Sequence, residues 1–127
     1  MNFRLASTYA LITCVWLTGC NYSSSEVSYT NDIRPILIAY CLECHNSNPP
    51  GKGFSTNLFS VENYNSLMRG TKYGVVIIPG NPASSTLIRA VEGKVHERLR
   101  MPYRLGPLPQ RDATLIHQWV AQGAQYN

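Results

Sequence analysis

The chain has 127 residues and a formal net charge of +4, from 11 Lys and Arg against 7 Asp and Glu. That length gives one domain, and with no basic run behind the charge a nucleic-acid partner is not expected. Composition is ordinary for a globular protein, with 44% hydrophobic residues and neither repeats nor a charged tail.

The chain starts with Arg4 and an apolar run over 5–17, which falls short of the roughly 20 residues that a membrane-spanning helix needs. A positive start, a short apolar core and small residues before a cut form a secretory signal. The run closes on Leu17-Thr18-Gly19-Cys20, which resembles the lipobox of bacterial lipoproteins. That resemblance implies cleavage ahead of Cys20, a signal peptide over 1–19 and lipidation of Cys20. More than one acyl chain gives stable anchoring where a single chain is marginal. An ordinary signal peptide cut nearby, or an uncleaved anchor, is the alternative. Ser23, Ser24 and Ser25 make 20–28 a flexible tether.

The domain is expected over 29–127. Ile33, Ile36, Leu37 and Tyr40 recur at helical spacing over 30–40, with Asn31 as N-cap and Pro35 in the first turn. This helix runs into Cys41-Leu42-Glu43-Cys44-His45. Pro49, Pro50, Gly51 and Gly53 then predict a loop over 46–55. Ser60 caps a short helix with Val61, Tyr64, Leu67 and Met68 on one face and Gly70 at its end. Residues 75–78 form an extended wall rather than a paired strand. Asn81-Pro82 reads as the start of a helix carrying Leu87, Ile88 and Val91. A charged stretch over 92–100 leads into Met101-Pro102. The last helix spans about 110–122, with Leu115, Ile116, Trp119 and Val120 on its apolar face and Gly123 as its stop.

The spacing Cys-x-x-Cys-His is the attachment signature of c-type haem. Cys41 and Cys44 stand about one helical turn apart, so both sulfurs reach the two vinyl groups on one haem edge. His45 then lies under the same ring and places an imidazole nitrogen on the iron. A thioredoxin-like redox pair wants a βαβ context that is absent here, and zinc wants about four ligands, which His96 and His117 do not complete. With Cys14 in the leader and Cys20 at its end, no cysteine is left for a structural disulfide.

A sixth iron ligand is also required. Met101 is a soft thioether donor set between Arg100 and Pro102, outside any apolar helix face, and a thioether opposite histidine raises the iron's potential. His96, in the charged stretch, is its competitor. Met68 reads as core and His117 as solvent-facing. Arg100 and Tyr103 are candidates to meet a haem propionate, although charged loop residues usually just meet water.

Several separated motifs together resemble the planctomycete-type cytochrome c domain, similar in plan to class I cytochromes c. They are Asn31-Asp32-Ile33-Arg34-Pro35-Ile36-Leu37, Val76-Ile77-Ile78-Pro79-Gly80-Asn81-Pro82 with Ser85 and Leu87, Arg100-Met101-Pro102, and Trp119 with Gly123-Ala124. The family often has Gly-Gly-Leu after the haem motif where this chain has Gly53-Phe54-Ser55, and Gly-Gly where it has Gly70-Thr71. The resemblance implies an all-α, class I cytochrome c-like fold: a few short helices and long loops around one covalently attached haem. It also implies that first and last helices cross, that His45 is the proximal ligand and that Met101 is the distal one.

The expected function is a monohaem, membrane-anchored electron carrier in the bacterial cell envelope, facing the periplasm or held in the outer membrane. Its partners are redox proteins, and neither a small-molecule substrate nor enzymatic activity is expected. A haem subunit of a dehydrogenase or oxidase complex, or a haem-based gas sensor, are the alternatives.

Overall fold

The computed structural model describes residues 25–127; the leader, Cys20 and the start of the tether lie outside the described residues. Among those residues the structure is the expected all-α arrangement of short helices and long connections. It has two isolated bridges, Ser47 with Pro50 and Thr71 with Gly74, and no sheet.

The first element starts at Ser28 rather than Asn31. Ser28 is extended, its hydroxyl oxygen accepts from the Asn31 N–H at 3.1 Å, and its own N–H donates to Asp32 Oδ2 at 2.9 Å. This reciprocal cap satisfies donors that a helix start leaves open, so Asn31 is left exposed inside the turn. A wide π turn over Tyr29–Ile33 follows, then α1 (Arg34–Tyr40) with Pro35 in its first turn. In a regular α turn the proline ring crowds the carbonyl four residues back, and a wider turn there relieves the crowding.

The final helix, α5 (Gln110–Ala121), buries Ile116, Trp119 and Val120, the residues its 3.6-residue period puts on one face. It packs on the π turn, where the Tyr29 ring lies 5.7 Å from Trp119. Gly123 takes φ 103°, a left-handed value natural to glycine, and the Ala124 N–H closes the helix on Trp119 O at 2.8 Å. The last residue then clasps the first element. Asn127 O accepts from Thr30 N–H at 3.0 Å, and Asn127 Oδ1 from Tyr29 N–H at 2.7 Å. Packing begins ahead of Tyr29, since Val27 is buried and its N–H donates to Gln122 Oε1 at 2.8 Å.

Three intermediate helices differ from expectation in their starts. α2 (Lys52–Asn57) begins inside the 46–55 stretch expected as a loop and runs two residues past it. α3 (Tyr64–Arg69) is capped by Asn63, not Ser60: Asn63 Oδ1 accepts from Ser66 N–H at 2.9 Å while Ser66 Oγ accepts from Asn63 N–H at 3.2 Å. The Ser60 hydroxyl is engaged with Glu62 instead, at 2.8 Å. α4 (Thr86–Val91) begins after Ser85, while Asn81 caps only the turn ahead of it by accepting from Ser84 N–H at 3.1 Å. Ser85 is fully buried and its hydroxyl ties down the 75–78 wall, accepting from Ile78 N–H at 2.8 Å and donating to Asn81 O at 2.8 Å. Ile36 and Leu37 of α1, Leu67 of α3, Leu87, Ile88 and Val91 of α4 and the α5 face join Phe59, Val61 and Ile77 in one core.

Candidate functional site

α1 sets the position of the cysteine turn. The Cys41 and Leu42 N–H groups both donate to Leu37 O, at 3.0 and 2.9 Å, and those of Cys44 and His45 both return to Cys41 O, at 3.2 and 2.9 Å. Cys41, Cys44 and His45 are thus gathered on one turn hung from the helix end. Both thiols are unpaired, Cys41 half-buried and Cys44 exposed. Burial, with Cys44 beside it, pushes the Cys41 thiol up to about 11, so it stays protonated at neutral pH.

His45 is buried, and its Nδ1 sits 3.3 Å from Phe59 O. A carbonyl oxygen only accepts, so this contact puts the ring proton on Nδ1 and leaves the Nε2 lone pair free. A ligating histidine is normally oriented in this way by its second nitrogen. Burial holds the imidazole below its ordinary value while the Phe59 bond opposes that shift, which favours the neutral ring a metal requires. The Phe59 ring meets the imidazole edge-on at 5.0 Å, and His45 O accepts from Val61 N–H at 2.9 Å. Residues 59–61 therefore hold both the ring and the backbone of His45.

α2 closes the other side, and its glycines explain why it forms there. A Cβ on Gly53 would stand 2.5 Å from His45 Cε1 and 2.9 Å from its Nε2. A Cβ on Gly51 would run into the Cys44 carbonyl oxygen. The Phe54 N–H then donates to Cys44 O at 2.9 Å. Gly51, Gly53 and the Phe59 carbonyl are site residues that sequence reasoning missed. The two closely spaced glycines were the available signal, but they read as loop formers rather than as places of close approach.

Met101 stands on a separate stretch. Its N–H donates to Ala90 O at 3.1 Å, tying it to α4, and its side chain is half-buried against the core. It lines an open cavity of about 670 Å³ together with Val91, Arg98, Arg100, Tyr103 and Arg104. Cys41, Cys44 and His45 do not line that cavity. The structure gathers three of the four expected haem contacts and places the fourth on its own wall.

The competing donors are placed elsewhere. His96 is exposed, lies outside the cavity wall and accepts from Arg98 N–H through Nδ1 at 3.3 Å, capping a 3-10 turn over Glu97–Leu99. His117 is exposed on α5 with Nε2 4.0 Å from Glu92, and Met68 packs against the core as expected. Among the described residues no three His, Cys, Asp or Glu side chains cluster as a zinc ion would need.

The donor set fits haem c: two unpaired thiols one turn apart, a neutral imidazole with Nε2 free, and a glycine against that ring in place of a side chain. No curated protein and no solved structure matches the chain. The family model described as Planctomycete cytochrome C matches residues 41–102, from the first cysteine of the turn to the Met101-Pro102 pair. That match supports a planctomycete-type cytochrome c domain, a family whose cofactor is covalently bound haem c.

Proposed function

We propose that this c-type cytochrome is a lipid-anchored electron carrier, with Cys41 and Cys44 as the thioether attachments, His45 as proximal ligand and Met101 as distal ligand. The observation that supports the reading is the Nδ1 contact of His45 with Phe59 O, which leaves the other nitrogen free to ligate iron. Haem c supplies the one-electron couple. The chain's residues fix the geometry around it: the Phe59 carbonyl and Gly53 hold the imidazole, and the Ala90 carbonyl holds the backbone of Met101. An iron closed on both faces passes electrons without making or breaking substrate bonds, so its reactants are other redox proteins. Met101 is favoured over His96 because it lines the cavity and reaches the core, whereas His96 is exposed and occupied as a cap.

The Leu17-Thr18-Gly19-Cys20 lipobox supports residence in the bacterial cell envelope, with 1–19 removed, the lipidated Cys20 at the membrane and the domain following a short tether. No helix of the described residues is long and apolar enough to cross a membrane.

Carbon monoxide tests the closed iron. The reduced wild type should bind it weakly, and Met101→Ala should bind it readily, lose the methionine–Fe(III) charge-transfer band and show a lower reduction potential. If those changes follow His96→Ala instead, the distal assignment fails. For the anchor, Cys20→Ala should abolish lipidation, while an unmodified wild-type chain starting elsewhere would contradict it.

A further inference from the structure

The two ends of the described chain lie side by side. Gln122, at the end of α5, accepts from Val27 N–H at 2.8 Å and donates to Ser25 O at 3.2 Å. Asn127 Nδ2 donates to Glu26 Oε1 at 2.9 Å, and Asn127 O accepts from the Ser28 hydroxyl at 3.1 Å. The chain is therefore part of the folded unit from Ser25 onward, and its point of entry is fixed beside 122–127. Tyr126 stands on the same side, 70% exposed. Its ring leans on Tyr64 at 5.1 Å and on Tyr29 at 5.5 Å, and Tyr29 is itself packed on Trp119. The core thus holds this tyrosine in place with most of its surface uncovered.

We propose that this face, made of Ser25, Glu26, Gln122, Tyr126 and Asn127, rests on the lipid surface to which Cys20 is anchored, with the Tyr126 ring in the headgroup layer; the proposal rests on the lipid-anchor reading. Chain length carries it. The five peptide links from Cys20 to Ser25 span at most about 18 Å. That is less than the roughly 30 Å width of a small domain, so the far side of the domain cannot be turned to the bilayer. Asn21, Tyr22, Ser23 and Ser24 have no charge, and nothing in them resists close approach to headgroups. A tyrosine with an apolar body and a polar tip suits the boundary between lipid and water. Glu26, the one carboxylate side chain of the face, suits a zwitterionic layer better than an anionic one. Cys41 lies about 18 Å along the first element from Tyr29, so the haem turn is at the end away from the tether exit.

The test uses the haem-loaded, lipidated full chain in phosphatidylcholine vesicles doped with a phosphatidylcholine that has a photoactivatable diazirine in its headgroup region. After irradiation, peptide mass mapping should find the lipid adducts concentrated on 122–127, Tyr126 foremost. Leu105, 72% exposed ahead of the other end of α5, should have few. Tyr126→Asp should cut the adducts on 122–127 severalfold without changing the acylation of Cys20 or the visible spectrum. Adding to that variant a Gly-Ser lead of about ten residues after Ser24, about 35 Å of further reach, should spread the remaining adducts over other exposed side chains. Adducts spread evenly over the unaltered chain, gathered on another patch such as Leu105, indifferent to Tyr126→Asp, or still confined to 122–127 after the lead is lengthened overturn the proposed face. A wild-type chain that has no acyl group on Cys20 and does not float with the vesicles contradicts the anchor reading itself, and the face with it.

Discussion

Gly53 shows how little space the imidazole of His45 has. A Cβ there comes within 2.9 Å of all three ring atoms nearest it, so any side chain displaces the ring. Gly53→Val should leave haem covalently attached, since both cysteines are untouched, but change the spin state of the iron and raise its carbon monoxide binding. A variant with an unaltered absorption spectrum would show that the ring has more freedom than the contacts allow. Farther along the same segment, Glu62 accepts from the Ser47 and Ser60 hydroxyls, and these bonds hold its carboxyl below the ordinary value of 4.5. A depressed carboxyl stabilises the fold fully above its unfolded value, and that contribution is lost as pH falls through the folded one. Amide protection over 46–62, measured relative to the intrinsic exchange rate at each pH, should therefore fall on acidification below about pH 4.5, and Glu62→Gln should abolish that dependence. At this scale the turn that gathers Cys41, Cys44 and His45 was legible because its spacing is local and specific, while Met101 was singled out by its donor chemistry alone. The Phe59 carbonyl was not legible, because a backbone acceptor has no sequence signature.

Helix existence was more legible than helix starts. The periods of 30–40 and 110–122 reproduce the faces that α1 and α5 bury, since apolar recurrence reports directly on packing. Starts at Asn31, Ser60 and Asn81 each moved because a neighbouring polar side chain formed a better set of bonds: Ser28 with Asp32, Asn63 with Ser66, and Ser85 with the chain at Ile78. α2 was invisible because glycine penalises a helix locally, and what outweighs the penalty is contact with residues eight or so positions away. Two substitutions probe these elements. Asn63→Ala removes the side-chain half of the capping box, leaving only the Asn63 N–H on Ser66 Oγ, and should cost about 1 kcal/mol in denaturant unfolding. Trp119→Ala should cost about 3–5 kcal/mol, because the ring is fully buried on α5 against Tyr29 and Tyr64. A Trp119 variant as stable as wild type would mean that α5 does not hold the first element in place.

For the whole molecule, short helices are joined by long proline- and glycine-rich connections, and long connections in a compact domain are commonly functional. Here that function is to hold haem c, fixed on one side by the turn at the end of α1 and, in the proposed ligation, closed on the other by Met101. The measurement that tests this most directly is the mass of the peptide containing Cys41 and Cys44, taken from protein purified from an envelope that matures c-type cytochromes and extracted first with acidic acetone. The account predicts that the peptide keeps one haem, with neither cysteine available to a thiol alkylating reagent. Haem in the acetone phase and two alkylated cysteines in the peptide would contradict it.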